Sequence, residues 1–140
     1  MTTKTMDIKL ERTVPASAEE VYDAWMDPNV PVNPWSGTKK LIFDPRVGAL
    51  FYFVHHHGGQ DLAHYGKFDL LERAKKAQYT WMSPYTHGLE SVVTVTFTQK
   101  GSDTIVSLTH AGLPDDDMGR AHEGGWGSYL NKVVAMFPKK

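Results

Sequence analysis

The sequence predicts an α+β fold in which a curved antiparallel β-sheet wraps around a long C-terminal helix, with two short helices after the first strand. Three observations support this prediction: an alternating segment at residues 6–14, a strand-rich middle at 38–112 and a helical pattern at 115–137. Strands joined by short turns form antiparallel sheets. The terminal helix is long enough to cover the concave face of the sheet, and such an arrangement tends to leave a cavity between them.

The composition limits the classes of function. A length of 140 residues and a hydrophobic content of 41% are typical of one folded domain, which we expect to span residues 1–140. The net charge of −1 offers no basic excess for binding nucleic acid or anionic membranes. The absence of cysteine excludes disulfides and thiolate metal sites. No apolar run is long enough to span a bilayer, so we expect a soluble, cytoplasmic protein without membrane insertion.

The N-terminal third is predicted to contain one strand and two short helices. Residues 6–14, MDIKLERTV, alternate between apolar and polar side chains, which is typical of a half-buried strand. In the following PASAEEVYDAWMDP, Ser17 is the predicted N-cap of a helix and Glu20 completes a capping box. Pro28 ends this helix. The proline-rich NVPVNPWSG at 29–37 is predicted to form a short helical turn or a loop, and as a helical turn it is the second of the two short helices.

The middle of the chain is predicted to be a succession of strands separated by turns. Aromatic and β-branched residues dominate these segments, and both residue types favour strands. Gly58-Gly59 and the KGSD segment at 100–103 are the clearest hairpin signals. The predicted strands are TKKLIFD, ALFYFVHHH, AHYGKFDLLE, QYTWMS, ESVVTVTFTQ and TIVSLTHAG.

The last helix is predicted from its helical spacing and its acidic start. Asp115–Asp117 would lie at the positive end of the helix dipole. Gly124, Gly125 and Gly127 each cost about 1 kcal/mol relative to alanine in a helix. The cost is tolerable if the helix lies tight on the sheet, which we favour, or if the helix opens to admit a ligand, and the missing side chains also enlarge any cavity there. One broad apolar face is formed by Met118, His122, Trp126, Tyr129, Leu130, Val133 and Phe137.

Four of the seven histidines fall within HHHGGQDLAH, residues 55–64. Because successive strand residues face opposite sides of a sheet, His55 and His57 share the inner face with two phenylalanines, whereas His56 faces outward. With a four-residue turn GGQD, His64 lies opposite His55 across the hairpin. The sequence therefore predicts a polar rim of His55, His57 and His64 on a hydrophobic cup.

The segment AHEGGWGSYLNKV resembles the H-x-x-G-W-x-x-x-L signature of the SRPBCC (START-like, birch-pollen-allergen-like) superfamily. The most similar branch is the one named for homology to the activator of the heat-shock-protein-90 ATPase. Four further segments follow one another in the order of that family and extend the resemblance over nearly the whole chain. They are ERTVPASAEEVYDAWMDP, VGALFYF, HYGKFDLLE with QYTW, and TIVSLTHAGLPDDDMGRAHEGGW.

The resemblance implies a helix-grip fold with an interior cavity for a small hydrophobic molecule, such as a lipid- or polyketide-like ligand, and an association with the stress response. The family name also implies a chaperone partner. The single domain that we expect here is without the additional N-terminal domain of the eukaryotic co-chaperones, which argues against a chaperone-activating role. Exposed edge strands are compatible with a homodimer.

The first functional hypothesis is a binding module whose cavity has apolar walls and a few polar side chains that orient the ligand. For any single aromatic residue, packing in a filled core is the simpler interpretation. The hollow interior implied by the family favours a pocket for the set as a whole. The predicted ligand-binding residues are Phe51, Phe53, His57, Phe68, Tyr79, Trp81, Phe97, His110, His122, Trp126, Tyr129 and Leu130.

The second hypothesis is an enzyme of cyclase, hydrolase or isomerase type in which His55 and His64 carry acid–base chemistry, because imidazole titrates near neutral pH. A less favoured variant adds His57 to this pair as the third ligand of a catalytic metal ion. Only Asp61 is placed to orient these imidazoles, so we expect neither a metal nor a cofactor. The third hypothesis is an interaction module that stimulates a chaperone ATPase.

Overall fold

A single antiparallel sheet and two helices make up the fold. The computed structural model describes residues 4–31 and 33–138. The seven strands lie in the order β1-β7-β6-β5-β4-β3-β2, which confirms the predicted helix-grip arrangement of a curved sheet around a C-terminal helix. In chain order the elements are β1 (Thr5–Val14), α1 (Ala18–Trp25), β2 (Lys39–Ile42), β3 (Leu50–His57), β4 (Gln60–Glu72), β5 (Lys76–Trp81), a 3₁₀ helix (Pro84–Thr86), β6 (Ser91–Lys100), β7 (Asp103–Pro114) and α2 (Asp117–Met136).

The inner face of the sheet carries the core. Every second residue is buried from Ser91 to Phe97 on β6 and from Thr104 to His110 on β7, as the period-two pattern predicts. Val95 lies opposite Leu108, and Phe97 lies opposite Val106. α2 closes this layer by burying an apolar stripe against the sheet, although Met118 at the start of the predicted stripe is 43% exposed. No helix within the described residues has both the length and the apolar character needed to cross a membrane.

The predicted start of α1 is confirmed. The Ser17 hydroxyl accepts a hydrogen bond from the Glu20 backbone N–H at 3.2 Å, and the Ser17 N–H donates to the Glu20 carboxylate at 3.3 Å. This capping box satisfies two N–H groups that would otherwise lack partners in the first turn. The helix buries Val21 and Trp25 against the sheet and ends before Pro28.

The prediction of a second short helix is wrong, because the described part of residues 26–38 forms turns. Three prolines in this segment cannot donate to a helical ladder. The buried side chain of Asn33 supplies the missing partners instead. Its amide donates to the carbonyl oxygens of Ala24 and Asp27 at 2.8 and 2.6 Å, and its carbonyl accepts from the backbone N–H groups of Trp35 and Ser36.

This turn segment inserts Trp35 into the concave side of the sheet. The indole is 1% exposed, and its Nε1–H donates to the Trp25 carbonyl oxygen at 2.9 Å. Trp35 therefore fills one end of the space between sheet and helices, and that end is solid core rather than cavity. The ring centroid of Trp35 lies between 5.0 and 6.0 Å from those of Phe43, Phe51, Phe53, Phe68 and Tyr79.

The β3–β4 hairpin has a shorter turn than predicted. Gly58 and Gly59 form a two-residue turn with φ of 58° and 78°, the left-handed conformation that matches the twist of paired strands. Consequently His64 lies opposite Phe53 and not opposite His55. The correction is a shift by two residues, so the inward and outward faces of the hairpin remain as predicted.

Tight packing of α2 on the sheet does not explain the glycines at positions 124, 125 and 127. A Cβ on Gly124 or Gly125 would have no described atom outside its immediate neighbourhood within 4 Å, and a Cβ on Gly127 would make only ordinary contacts at 3.7 Å. The close approach occurs instead at Gly119, where a Cβ would lie 1.8 Å from the Pro114 carbonyl oxygen.

Alanine substitutions at two helical glycines should therefore have opposite effects on stability. We expect Gly124→Ala to raise the free energy of unfolding by about 1 kcal/mol, because alanine restricts the unfolded backbone and meets open space. Gly119→Ala should lower it by about 2 kcal/mol or more, because the methyl group collides with backbone. Urea unfolding of both variants measures this difference, and a stabilising Gly119→Ala would contradict the described approach of α2 to Pro114.

Candidate functional site

A partly open cavity of about 570 Å³ lies between α2 and the β3–β5 end of the sheet. This volume falls in the range of small-molecule sites. The cavity occupies the part of the concave surface that Trp35 leaves unfilled. Its walls consist of Pro34, Phe53, His55, Leu62, His64, Trp81, Tyr85, Ala121, His122, Gly125, Trp126, Ser128, Tyr129 and Lys132.

The structure brings about half of the sequence-predicted site residues together around this cavity. Both predicted catalytic histidines, His55 and His64, lie on the wall. The predicted ligand-binding residues on the wall are Phe53, Trp81, His122, Trp126 and Tyr129.

The other predicted ligand-binding residues lie elsewhere. Trp35 covers Phe51, Phe68 and Tyr79, so these rings belong to the filled core. Phe97 packs edge-on against Tyr22 of α1, with ring centroids 5.4 Å apart. Leu130, on α2, and His110, on β7, are fully buried and do not line the cavity. The side chain of His57 is outside the described residues.

The neutral tautomer of His64 is defined by its backbone contact. Its Nδ1 lies 3.0 Å from the Leu62 carbonyl oxygen, which can only accept, so Nδ1 carries the proton and Nε2 presents a lone pair. The ring stacks on Phe53 with centroids 4.9 Å apart and an interplanar angle of 5°. Burial lowers the pKa of His64 to about 4, so the imidazole is uncharged at neutral pH.

His122 is arranged in the same way on the opposite wall. Its Nδ1 lies 3.0 Å from the Met118 carbonyl oxygen and 3.2 Å from that of Gly119. The Nδ1–H therefore donates to backbone carbonyls in the preceding turn of α2. Burial lowers the pKa of His122 below its usual range. Two walls of the cavity thus each present an imidazole Nε2 as a hydrogen-bond acceptor.

His55 and His56, the other described histidine side chains of the 55–64 segment, lie on opposite faces of the hairpin. The rings of His55 and His64 are nearly perpendicular, with centroids 6.3 Å apart. His56 lies on the outer surface, where its Nδ1 is 2.8 Å from an Asp61 carboxylate oxygen. Among the side chains that the structure describes, no group of three His, Asp or Glu has the spacing of a metal site. Asp61, which the sequence offered as an orienting acid, therefore engages the outward histidine.

His110 anchors the cavity wall from behind through a chain of hydrogen bonds. The Trp126 Nε1–H donates to His110 Nδ1 at 3.0 Å, so the protonated Nε2 of His110 donates to the Ser91 hydroxyl at 2.7 Å. The hydroxyl in turn donates to the Trp81 carbonyl oxygen at 2.6 Å. This chain joins two wall residues, one on α2 and one on β5. Burial lowers the pKa of His110 to about 3, so every member of the chain is neutral.

One polar atom of the wall has no partner. The Nε1–H of Trp81 is the single buried side-chain polar atom in the described part of the chain that makes no hydrogen bond. The lining contains no carboxylate, and its one formal charge is the exposed Lys132 on α2. The cavity is therefore largely apolar and nearly uncharged.

Seven wall residues were missed by sequence reasoning, and two signals could have found five of them. Alternation along β4 places Leu62 on the same face as His64, two residues further on. Helical spacing from the predicted apolar stripe identifies a neighbouring stripe of smaller and polar residues on α2, namely Ala121, Gly125, Ser128 and Lys132. Pro34 and Tyr85 lie on turns, where no periodicity is available.

Acidification should destabilise the protein through His110 and His64. The unfolded chain takes up protons at these residues below pH 6.5, whereas their folded-state pKa values are about 3 and about 4. Stability is therefore fully present above pH 6.5 and declines as the pH falls, by about 1.4 kcal/mol per pH unit for each histidine.

Urea unfolding of the wild type and His110→Gln between pH 7 and 5 measures this linkage. We expect the variant to lose about 1–3 kcal/mol at pH 7, because the hydrogen-bond chain is broken. Its stability should also depend less steeply on pH, with one proton fewer taken up on unfolding. An identical pH slope in the two proteins would show that His110 is not a buried neutral residue.

Known proteins share this architecture. The structure of CV1439 from Chromobacterium violaceum is 25% identical, with a TM-score of 0.78 over 96% of this chain and 98% of that one. An HSP90 activator from Plasmodium falciparum, PFC0360w, has 20% identity and a TM-score of 0.73 over 96% and 99% of the two chains. CalU16 from Micromonospora echinospora has 23% identity and a TM-score of 0.72 over 95% and 76%. The last two similarities are informative about the fold alone.

The sequence itself identifies the family. No curated protein matches the chain. The model of the family described as "Activator of Hsp90 ATPase homolog 1-like protein" matches residues 15–137, which include the capping box of α1 and the His122–Trp126 segment of α2. The chain therefore belongs to this family within the SRPBCC superfamily, as the resemblance of its terminal helix predicts.

Proposed function

We propose that the protein binds a small hydrophobic or aromatic molecule in the cavity between the sheet and α2, where the inward histidines orient a polar group of the ligand. The observation on which this proposal rests is the cavity of about 570 Å³ with aromatic walls and uncharged imidazoles. Burial of an apolar ligand against such walls gains about 25 cal/mol for each Å² removed from water.

The aromatic walls favour a flat ligand. Trp81 and Trp126 pack with ring centroids 5.0 Å apart, and Tyr129 continues this surface along α2. Phe53 and His64 form a second, stacked pair beside Trp81, with ring centroids 5.8 and 5.2 Å from that of Trp81. Rings at these spacings offer faces and edges with which a planar aromatic ligand can stack.

The helix sequence also supports an open site. Gly125 lies on the cavity wall, where a side chain would meet open space. Glycine at this helical position costs about 1 kcal/mol relative to alanine, and no close backbone approach compensates for it. The benefit that we assign to Gly125 is the free volume that it leaves for a ligand.

Acid–base catalysis is the second candidate, because the Nε2 atoms of His64 and His122 present lone pairs to the cavity. The pKa of His64 is about 4, so this imidazole is available as a base at neutral pH but is a weak one. General bases work best with a pKa near the operating pH, and this consideration places binding ahead of catalysis.

Stimulation of a chaperone ATPase is the alternative raised by the family name. We place it third, because our proposal depends on an interior cavity and stimulation needs an exterior contact surface. An ATPase assay with Hsp90 separates the two, with no stimulation expected from this protein. A several-fold rise in ATP hydrolysis would favour the chaperone role.

Closing the cavity from α2 should abolish ligand binding. We expect the wild type to bind the uncharged fluorescent probe N-phenyl-1-naphthylamine at one site with a Kd on the order of 10 µM, as its size allows. Gly125→Phe should weaken binding at least about tenfold, because the new ring occupies the cavity.

Gly124→Phe is the matched control. It introduces the same ring at the adjacent position, which does not line the cavity. Fluorescence titration of both variants, with thermal unfolding to verify that each is folded, gives the comparison. Equal affinity of the two variants, or no binding by the wild type, would contradict the proposed site.

A further inference from the structure

An apolar patch lies on the convex face of the sheet, on the side away from the cavity. It contains a row of side chains that lie opposite one another across neighbouring strand segments, and residues paired in this way share one face of a sheet. Because Tyr52 alternates with the buried Phe51 and Phe53, the row points outward. Leu50, two residues before Tyr52 on β3, points the same way. The outer patch, as we call it, consists of Leu50 and the row Ile42, Tyr52, Tyr65 and Met82.

The outer patch exposes large hydrophobic side chains to solvent. Leu50, Ile42 and Tyr65 are 68%, 62% and 41% exposed. They are three of the six large hydrophobic residues exposed in the described part of the chain, so the exposure is concentrated on one surface. The patch presents roughly 400 Å² of apolar surface, and patches of this size often mark interaction sites. Tyrosine and methionine, which it contains, are enriched in the core of protein interfaces.

Opposite charges border the outer patch at both of its ends. Toward the β3–β4 turn, Lys39 Nζ lies 3.7 Å from an Asp61 carboxylate oxygen. At the other end, Lys67 Nζ lies 3.8 Å from an Asp69 carboxylate oxygen. Such a border does not favour a partner of a single charge sign, such as nucleic acid. It suits a second copy of the same surface, because each end offers both a cation and an acid to its counterpart.

Pairing through the neighbouring edge of the sheet is disfavoured. β2 is the edge strand on this side, and its register with β3 shifts between Lys39 and Ile42. Lys40 has a left-handed φ of 53°, which interrupts the regular row of backbone groups that an added strand would need. Short, irregular edge strands that carry lysine resist edge-to-edge association. A partner is therefore expected on the face of the sheet and not at this edge.

We propose that the outer patch is the interface of a two-fold symmetric homodimer in which the convex faces of two copies pack against each other. Stable interfaces cover about 800 Å² on each partner, of which the apolar patch supplies about half and its charged border the remainder. We therefore expect a weak dimer, with a Kd on the order of 10–100 µM. The cavity lies on the concave side and stays open in this dimer, so the inference does not depend on the proposed ligand.

Sedimentation equilibrium of the full chain at pH 7, at roughly 1–500 µM, tests this proposal. We expect the wild type to pass from monomer to dimer within this range. The double variant Ile42→Glu, Leu50→Glu should weaken association at least about tenfold, because like charges from both copies meet in the interface. The uncharged double variant Ile42→Ser, Leu50→Ser should weaken it as well, because apolar contact is lost.

Leu89→Glu is the matched control. Leu89 is 43% exposed in the loop after the 3₁₀ helix, outside the outer patch, and this variant should associate like the wild type. Circular dichroism and thermal unfolding verify that each variant is folded, which the exposure of positions 42 and 50 leads us to expect. A wild type that stays monomeric over the whole range would overturn the proposal. So would a dimer that both double variants retain, or equal weakening by the control.

Discussion

The structure depends on how the concave side of the sheet is filled. The concave side of the seven-stranded sheet is covered by two helices and by the turn segment between α1 and β2. Trp35 fills part of this concave side by packing against five aromatic rings, and its indole N–H donates to the Trp25 carbonyl oxygen. The cavity lies beside Trp35, with the neighbouring Pro34 and the contacting Phe53 on its wall. The position of one tryptophan therefore separates core from site.

Around the cavity, polar groups are held uncharged by their surroundings. Removal from water disfavours imidazolium, so the pKa values of His64, His110 and His122 all lie below the usual range. Backbone carbonyls or a tryptophan N–H then define which ring nitrogen carries the proton. The site thereby acquires directional acceptors without bringing charge into an apolar cavity, where an unpaired charge would be costly.

Several features of the wall reduce stability without benefit to the fold. Gly125 lowers the helical propensity of α2 where a larger residue would fit, and the Trp81 N–H is buried without an acceptor. Folded proteins concentrate such local inconsistencies at functional sites. Their convergence on one cavity supports the proposal that the cavity binds a ligand. The hydrogen-bond chain through His110 keeps Trp81 and Trp126 in place while the space between the walls stays open.

The sequence by itself determined the fold class, the capping box at Ser17, the inward faces of β6 and β7, and the outward position of His56. These features follow from local periodicity and side-chain chemistry, which act over a few residues. The protonated nitrogens of His64 and His122 could not be predicted at that level, because they depend on the backbone carbonyl that each ring contacts. The register of His64 changed because loop length, not strand pattern, sets the pairing of a hairpin.

Only the tertiary structure decided which aromatic residues face open space. Phe51, Phe68 and Tyr79 carry the same inward pattern as Phe53 and Trp81, and the sequence offers no means of separating them. The separation comes from Trp35, which packs against Phe51, Phe68 and Tyr79. Trp35 lies on a proline-containing turn that the hydrogen bonds of Asn33 hold in place. Such long-range filling of volume is a property of packing in three dimensions, and no periodicity along the chain encodes it.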